Sequence, residues 1–393
     1  MANTLLTIDQ ITREALRILH QKCNFIGNIN RQYDDSFAQS GAKIGDSLRI
    51  RLPNEYSVRS GATLSTQDTT EQNVTLQVNN QKGVDLNFTS VDLTLDLDDF
   101  STRILEPAMA VLAANIEADA INMYKDVYQQ VSNVGSAATF ANVLNQRKQL
   151  NDALTPMDSN RVEILNTQAN VDLVDALKGL FNDTATISKQ YKDGMMGRTA
   201  GFDFYENTLM PRHVSGADNS GYLVNGAAQT GATLTVDTGT GDLREGDIIT
   251  IAGVFDVHPE TKTSRSVLKQ FVVTGDTGTS ATSIGISPAI VTSGARQNVS
   301  AGPADNAAIT KVGGADADYD ISLAFHRDAF TFATADLVMP KGVDMASRQV
   351  YDGISMRVVR AYDINNDQFP VRLDVLYGYK TLRAQLASRL ATN

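Results

Sequence analysis

Two runs near the C-terminus constrain this chain most. In residues 354–359 (ISMRVV), Ile354, Met356 and Val358 alternate with Ser355, Arg357 and Val359; in residues 371–376 (VRLDVL), Val371, Leu373 and Val375 alternate with Arg372, Asp374 and Leu376. A period of two sends successive side chains to opposite faces, so both runs read as half-buried strands. Between them, residues 362–366 (YDINN) supply the Asp and Asn that tolerate turn geometry, and a long antiparallel hairpin is the economical reading. The preceding run 321–340 (ISLAFHRDAFTFATADLVMP) packs aromatic and branched residues with no catalytic group at regular spacing.

The chain has 393 residues, 42% of them hydrophobic, which suits two or three structural units with real cores. One Cys, no Trp and a formal charge of -11 exclude a disulfide scaffold and a basic nucleic-acid binder. An acidic surface repels phosphate, so any DNA nearby is expected to be contained without being recognised. The N-terminal segment MANTLLTIDQITREAL has no basic region followed by an apolar run, and no window approaches about 18 apolar residues, so neither a leader nor a membrane span is expected. The expected setting is the interior of a cell until release.

Along the chain, Thr7 and Gln10 form a capping-box pattern before Ile8, Ile11, Ala15, Leu19 and Cys23 at helical spacing, which predicts an amphipathic helix over 8–23. Cys23 then reads as a small buried thiol. A polar stretch, 27–41, separates this arm from strand-like segments over 43–91 (SLRIRLP, VTLQV, VDLNF). The first two are joined by some twenty Ser-, Thr-, Gly- and Gln-rich residues, the pattern of a protruding hairpin. Arg49, Arg51, Arg59, Asp68 and Glu71 stud it with both signs of charge. Such charges form a solvated face, or in an assembly they set the register against a neighbour.

Asp98, Asp99 and Ser101 open a helical region with Pro107 in its first turn, and Met109, Leu112, Ala113, Ile116, Ala120, Met123 and Val127 recur at three- and four-residue steps. These predict the longest helix, over 106–131. A helix over 140–153, a strand over 162–165, a helix over 170–181, a Gly-rich stretch 194–201 and a strand over 202–205 follow. Residues 215–314 then shift to Gly, Thr, Ser and Ala with short strand-like pieces (ATLTVD, DIITIAG, KQFVVTG, SIGISPAIV), the composition of a small all-β module. LREGDIITIA (243–252) reads as a turn delivering a buried strand. Because the earlier pattern resumes at Tyr319, the module reads as an insertion whose ends lie close together.

No chemistry emerges from motif search. His20, His213, His258 and His326 are isolated from one another, and no zinc, phosphate-loop, dinucleotide or nucleophile-elbow motif is present. Asp316, Asp318 and Asp320 begin like a calcium loop, but Ile321 and Arg327 stand where Gly and Glu are required. Asp92, Asp96, Asp98 and Asp99 crowd one segment as strand-end and cap acids. His326, Arg327 and Asp328, flanked by Phe325, Phe330 and Phe332, read as a structural polar cluster at a strand end. No cofactor, metal ligand or catalytic residue is expected.

The phrases AFHRDAF and LVMP, then YDGISMR, then YD and RLDVLYGY, resemble the C-terminal part of the major capsid proteins of tailed bacteriophages, in the subgroup that carries an inserted domain. The resemblance implies an α+β fold of the Hong Kong 97 type. In it, 1–42 would be the N-terminal arm, 43–91 the E-loop, 92–139 the spine helix and peripheral domain, 140–214 the axial domain, 215–314 the inserted β domain and 315–393 the return to the core. It also implies self-assembly as pentamers and hexamers into an icosahedral shell around double-stranded DNA, with scaffolding and portal partners. The shell would be a virion capsid assembled in the host cytoplasm. Arg49, Arg51, Arg59, Asp68 and Glu71 are then the candidate contacts between subunits. The arm begins almost at Met1, without a long charged cleavable segment, so a separate scaffolding protein is expected. Lys43 and Lys82 flank the hairpin without a marked isopeptide partner, so no covalent cross-links are expected. A cellular encapsulating shell and an enzyme with an unrecognised carboxylate site are the two rival readings.

Overall fold

The computed structural model describes residues 15, 23–33, 47–59, 61–64, 66–68, 71–89, 106–177, 197–218, 221–351 and 354–392. Most of the helix expected over 8–23, Lys43, the acids at 92–99 and the end of the helix expected over 170–181 lie outside them. The chain forms two compact units, one from Met1–Arg51, Asn73–Ala120 and Phe330–Lys380, the other from Leu52–Gln72, Ile121–Ala329 and Thr381–Asn393.

The first unit is built on one long strand. Its elements are α1 (Asn24–Asn28), β1 (Asn30–Tyr33), β2 (Ser47–Leu52), β3 (Gln72–Gln77), β4 (Asn80–Thr89), α2 (Glu106–Ile121), β17 (Phe330–Ala335), β18 (Met345–Tyr351), β19 (Ile354–Arg360) and β20 (Gln368–Thr381). The sheet runs β1-β17-β20-β19-β18, with β4 also on β20, and β2 and β3 make a separate ladder. The expected C-terminal hairpin is present: Arg357 faces Asp374 and Arg360 faces Val371, and an Asp363–Gln368 bridge closes the turn. Asp374 is buried and its Oδ2 lies 2.6 Å from Arg357 Nη2, so neither charge is stranded in the sheet. The VDLNF segment does not continue the protruding hairpin. It lies in β4, paired with β20 from Asn80 on Tyr377 to Thr89 on Gln368. A ten-residue ladder satisfies more backbone than a local turn does.

Helix α2 buries Met109, Leu112, Ala113, Ile116 and Ala120, the stripe its spacing predicts. Against expectation the helix ends at Ile121, and a 3₁₀ turn, Asn122–Asp126, precedes strand β5 (Gln130–Ser132). Met123 and Val127 keep the apolar rhythm, but the branched and aromatic residues Val127, Tyr128 and Val131 suit a strand, and a ladder to the chain end is available. Tyr377 Oη donates to Asp119 Oδ2 at 2.6 Å, and Lys82 Nζ meets the same carboxylate at 2.6 Å, which fixes α2 to β4 and β20. Cys23 is buried, and burial with Glu117 beside it pushes its thiol well up, which makes it inert.

The second unit joins an α/β sheet to a closed β barrel. The sheet comprises β5, β6 (Arg161–Leu165), β7 (Arg198–Thr199), β8 (Phe202–Glu206), β9 (Arg212–Val214), β16 (Asp318–His326) and β21 (Ala387–Thr392), in the order β5-β21-β16-β6-β8-β7 with β9 on β16. Helices α3 (Phe140–Asp152) and α4 (Thr167–Leu177) cover one face, packing Val143, Leu150, Ala169 and Leu173 on Leu165, Phe202, Ala324 and Leu390.

The barrel comprises β10 (Leu223–Val224), β11 (Gly231–Asp237), β12 (Ile248–Val257), β13 (Ser264–Val273), β14 (Ser283–Ile290) and β15 (Ile309–Lys311). They pair in the order β10-β11-β14-β13-β12-β15, and a Leu223–Ala308 bridge returns the last strand to the first. Leu234, Val236, Ile249, Ile251, Phe271, Ile284 and Ile286 fill it, the inward half of each alternating strand. LREGDIITIA behaves as expected: Asp247 N bonds to Arg244 O at 2.9 Å across a turn, and Ile248, Ile249 and Ile251 are buried beyond it.

One buried acid sits under the helices. Glu163 of β6 is fully enclosed, and burial, only partly opposed by the nearby Gln146 of α3, pushes its carboxyl well up. An acid whose pKa is raised by folding adds stability that is complete below its unfolded pKa, about 4.3, and lost as pH rises through the folded value. Glu163→Gln keeps the shape and removes the titration. The variant should unfold a few degrees higher at pH 8, since about 1 kcal/mol moves a domain of this size by roughly 2–4 °C. Below pH 4 the two proteins should converge. Thermal scans against pH test this, and parallel curves across that range would refute it.

Candidate assembly surfaces

Strand β2 divides its side chains cleanly. Leu48 and Ile50 pack with Leu76, Val78, Ala333 and Ala335, while Arg49 and Arg51, displaced by one residue, share the exposed face. The segment beyond β2 gives up burial altogether. Every described residue from 53 to 73 is exposed, including Val58 at 96%, Leu64 at 78% and Tyr56 at 60%. What order it has comes from hydrogen bonds across it: Ser57 N donates to Gln67 Oε1 at 2.9 Å, Gln67 Nε2 returns to Ser57 O, and Arg59 Nη1 donates to Gly61 O. Arg59, Asp68 and Glu71 are likewise exposed. Polar composition agrees with the sequence reading, but the three large apolar side chains standing in solvent were not singled out there.

A second exposed group lies at the tip of the C-terminal hairpin, where Ile364 and Tyr362 project beside a compact acidic turn. Asp363 accepts from Asn366 Nδ2 at 2.7 Å and Asn365 N at 3.0 Å, and these bonds hold its carboxyl below the usual range. The turn therefore stays charged and rigid. Lys82, one of the lysines flanking the hairpin, is occupied by Asp119.

No arrangement resembling a reaction centre opens to solvent among these groups. His326, at the end of β16, is buried, lies 3.2 Å from Asp158 Oδ2 through Nε2 and accepts Asp328 N at Nδ1, so the His-Arg-Asp phrase ties a strand end to its following 3₁₀ turn. The other buried histidine was not legible as a cluster. His213 Nε2 lies 3.0 Å from Asp247 Oδ1 and Nδ1 lies 3.1 Å from Tyr124 Oη. Burial lowers the His213 pKa and pushes the Tyr124 phenol up to about 12. Burial opposes ionisation of Asp247, but bonds from His213, Arg244 N and Gly216 N outweigh it and hold the carboxyl low. The three are sealed at the root of the barrel, with His213 and Asp247 34 positions apart in the sequence, a separation that no local spacing rule detects. Among the described residues no three His, Cys, Asp or Glu gather as a metal site, and no helix is long and apolar enough to cross a membrane.

A family model described as P22 coat protein, gene protein 5, matches residues 8–388. Among solved structures, a protein of Mycobacterium phage Che8 is 14% identical with a TM-score of 0.46, covering 91% of this chain and 88% of its own. The asymmetric unit of the bacteriophage PhiM1 mature capsid is 9% identical with a TM-score of 0.48, covering 93% and 86%. The holo-SrpI encapsulin complex from Synechococcus elongatus PCC 7942 is 9% identical with a TM-score of 0.44, covering 99% and 92%. No curated protein sequence matches.

Proposed function

This chain belongs to the P22 coat protein family, and on that premise we propose that it assembles as pentamers and hexamers into an icosahedral shell enclosing double-stranded DNA. It is a structural protein of the virion capsid. In the proposal, assembly takes place in the host cytoplasm with a separate scaffolding protein and a portal, and the chain catalyses no reaction. Residues 43–91 contain the extended E-loop, with 1–42 as the arm, 92–139 as the spine and peripheral region, 140–214 as the axial region and 215–314 as the inserted domain, and 315–393 returning to the core.

The observation that carries the reading is the exposure of the described residues of 53–73. Tyr56, Val58 and Leu64 contribute nothing to a lone subunit and gain about 25 cal/mol per Å² when a neighbour covers them. Symmetry repeats such a contact at every copy. Arg49, Arg51, Arg59, Asp68 and Glu71 then set register on the neighbour, a role suited to charges at the rim of a contact.

The test is a triple replacement, Tyr56→Ser, Val58→Ser and Leu64→Ser, co-expressed with the scaffolding gene product. Because all three are exposed, the thermal midpoint of the subunit should hold within the spread of ordinary surface changes, about 0.5 kcal/mol. Closed shells counted by negative-stain imaging and sedimentation should fall at least about tenfold, the factor for 1.4 kcal/mol per contact. Unchanged shell yield would sink the proposal. The same imaging separates the rivals: shells that load an enzyme as cargo favour an encapsulin-like protein, and a small soluble oligomer favours an enzyme.

A further inference from the structure

The seam that closes the barrel carries the chain's one Asn–Gly pair, Asn225–Gly226. Beside the Leu223–Ala308 bridge, Val224 N donates to Ala307 O at 3.0 Å and Asn306 N donates to Val224 O at 2.8 Å, so the turn after β10 lies against the turn before β15. Asn225 and Gly226 are both exposed. Their backbone is pinned: Gln229 Nε2 donates to the carbonyl oxygens of Asn225, Gly226 and Thr235, and Asn225 N donates to Thr235 O at 3.0 Å. The Asn225 carboxamide makes no hydrogen bond among the described residues.

A free carboxamide followed by glycine has a chemical route open to it. When the Gly226 amide nitrogen gives up its proton it attacks Asn225 Cγ, the carboxamide C–N bond breaks, ammonia leaves carrying that proton, and a succinimide ring closes. Water then opens the ring at one of its two carbonyls, leaving an aspartyl or an isoaspartyl residue. The balance is carboxamide plus water to carboxylate plus ammonium, so no oxidant, reductant or further reactant is needed. Glycine at the attacking position has no Cβ to obstruct the approach.

In the closed seam that nitrogen is occupied. Gly226 N donates to Asp305 Oδ1 at 2.8 Å, and Asp305 Oδ2 accepts from Asn306 Nδ2 at 2.9 Å, which holds the carboxylate in place. A hydrogen bond to a charged acceptor is among the stronger kinds, and this one keeps the proton on nitrogen, because an amide anion formed there would face a carboxylate of the same sign. Ring closure requires that bond to break. We propose that Asn225 is a site of self-modification guarded by Asp305: a closed seam suppresses succinimide formation, and an opened seam releases Gly226 N and lets Asn225 convert to a carboxylate. The new negative charge lies in the turn that Asp305 holds, so repulsion disfavours reclosure and the change runs one way.

The test uses the full chain, incubated in mildly alkaline water enriched in heavy oxygen and read by peptide mass spectrometry, since ring opening draws one oxygen from solvent. Asn225 in the folded protein should convert at least about tenfold more slowly than in the same chain held in urea, the factor for 1.4 kcal/mol and within the span of a hydrogen bond to a charged group. Asp305→Ala should bring the folded rate most of the way to the urea rate. Asp305→Asn, which keeps an oxygen acceptor and drops the charge, should fall between, and it carries the comparison if the alanine variant does not fold. Phe271→Leu, which loosens the barrel core without removing a seam bond, should convert more slowly than Asp305→Ala. Asn225→Gln should take up no label at that position. Equal rates in the folded and urea-held chain, Asp305 variants no faster than the unaltered protein, or Phe271→Leu as fast as Asp305→Ala would each overturn the proposal.

Discussion

Gly378→Ala is expected to destabilise the first unit by more than about 4 kcal/mol, the range associated with changes the fold cannot absorb. Gly378 lies in β20, and a Cβ there would stand 2.0 Å from the carbonyl oxygen of Gln77 and 3.0 Å from Val78 Cα. Both obstacles are backbone, so no side-chain rotation relieves them, and the strand carrying the central ladder would have to move. The expected result is loss of soluble subunit or a fall in denaturant midpoint with little change in slope. Gly27→Ala is the control: nothing lies within 4 Å of a Cβ at that position. It should be neutral or slightly stabilising, by roughly 0.5–1 kcal/mol at most. Equal behaviour of the two variants would mean that β20 and residues 77–78 do not approach as closely as described.

Phe271→Ala should cost about 3–5 kcal/mol, the usual penalty for emptying a buried aromatic site. Phe271 is fully buried in β13 among the side chains that fill the barrel. Phe271→Leu, which retains most of the volume, should cost less than about 1.5 kcal/mol. Denaturant unfolding gives the energies, and limited proteolysis shows where the chain opens: new cuts should fall within 222–311. A loss under about 1 kcal/mol for the alanine variant would be incompatible with a packed barrel core.

Legibility in the sequence followed the range of the interactions. The β19–β20 hairpin was readable because alternation and a turn lie within thirty residues, and the barrel strands were readable because turn-forming residues punctuate short branched runs. The helix α2 was readable only as far as Ile121. From there the apolar positions satisfy a helix and a strand equally, and pairing with a strand 259 residues later decides, as in the Arg389–Gln130 register. The ladder of β4 on β20 is hidden for the same reason. The five charged hairpin residues were found by their mixture of signs, whereas Tyr56, Val58 and Leu64 looked like ordinary strand residues until their exposure was seen. Arg389, fully buried in β21, carried no signal at all, since an arginine near a chain end reads as surface.

The bridge between Leu223 and Ala308 also has a bearing on crowding. A sheet with a free outer strand offers unpaired N–H and C=O groups to any copy that drifts alongside, and copies gathered at high local concentration would zip together out of register. A ring of strands that closes on itself has no such edge to offer. The ring removes that edge where β10 meets the start of β15, and it leaves backbone-driven pairing to the parts of the chain where an open strand remains.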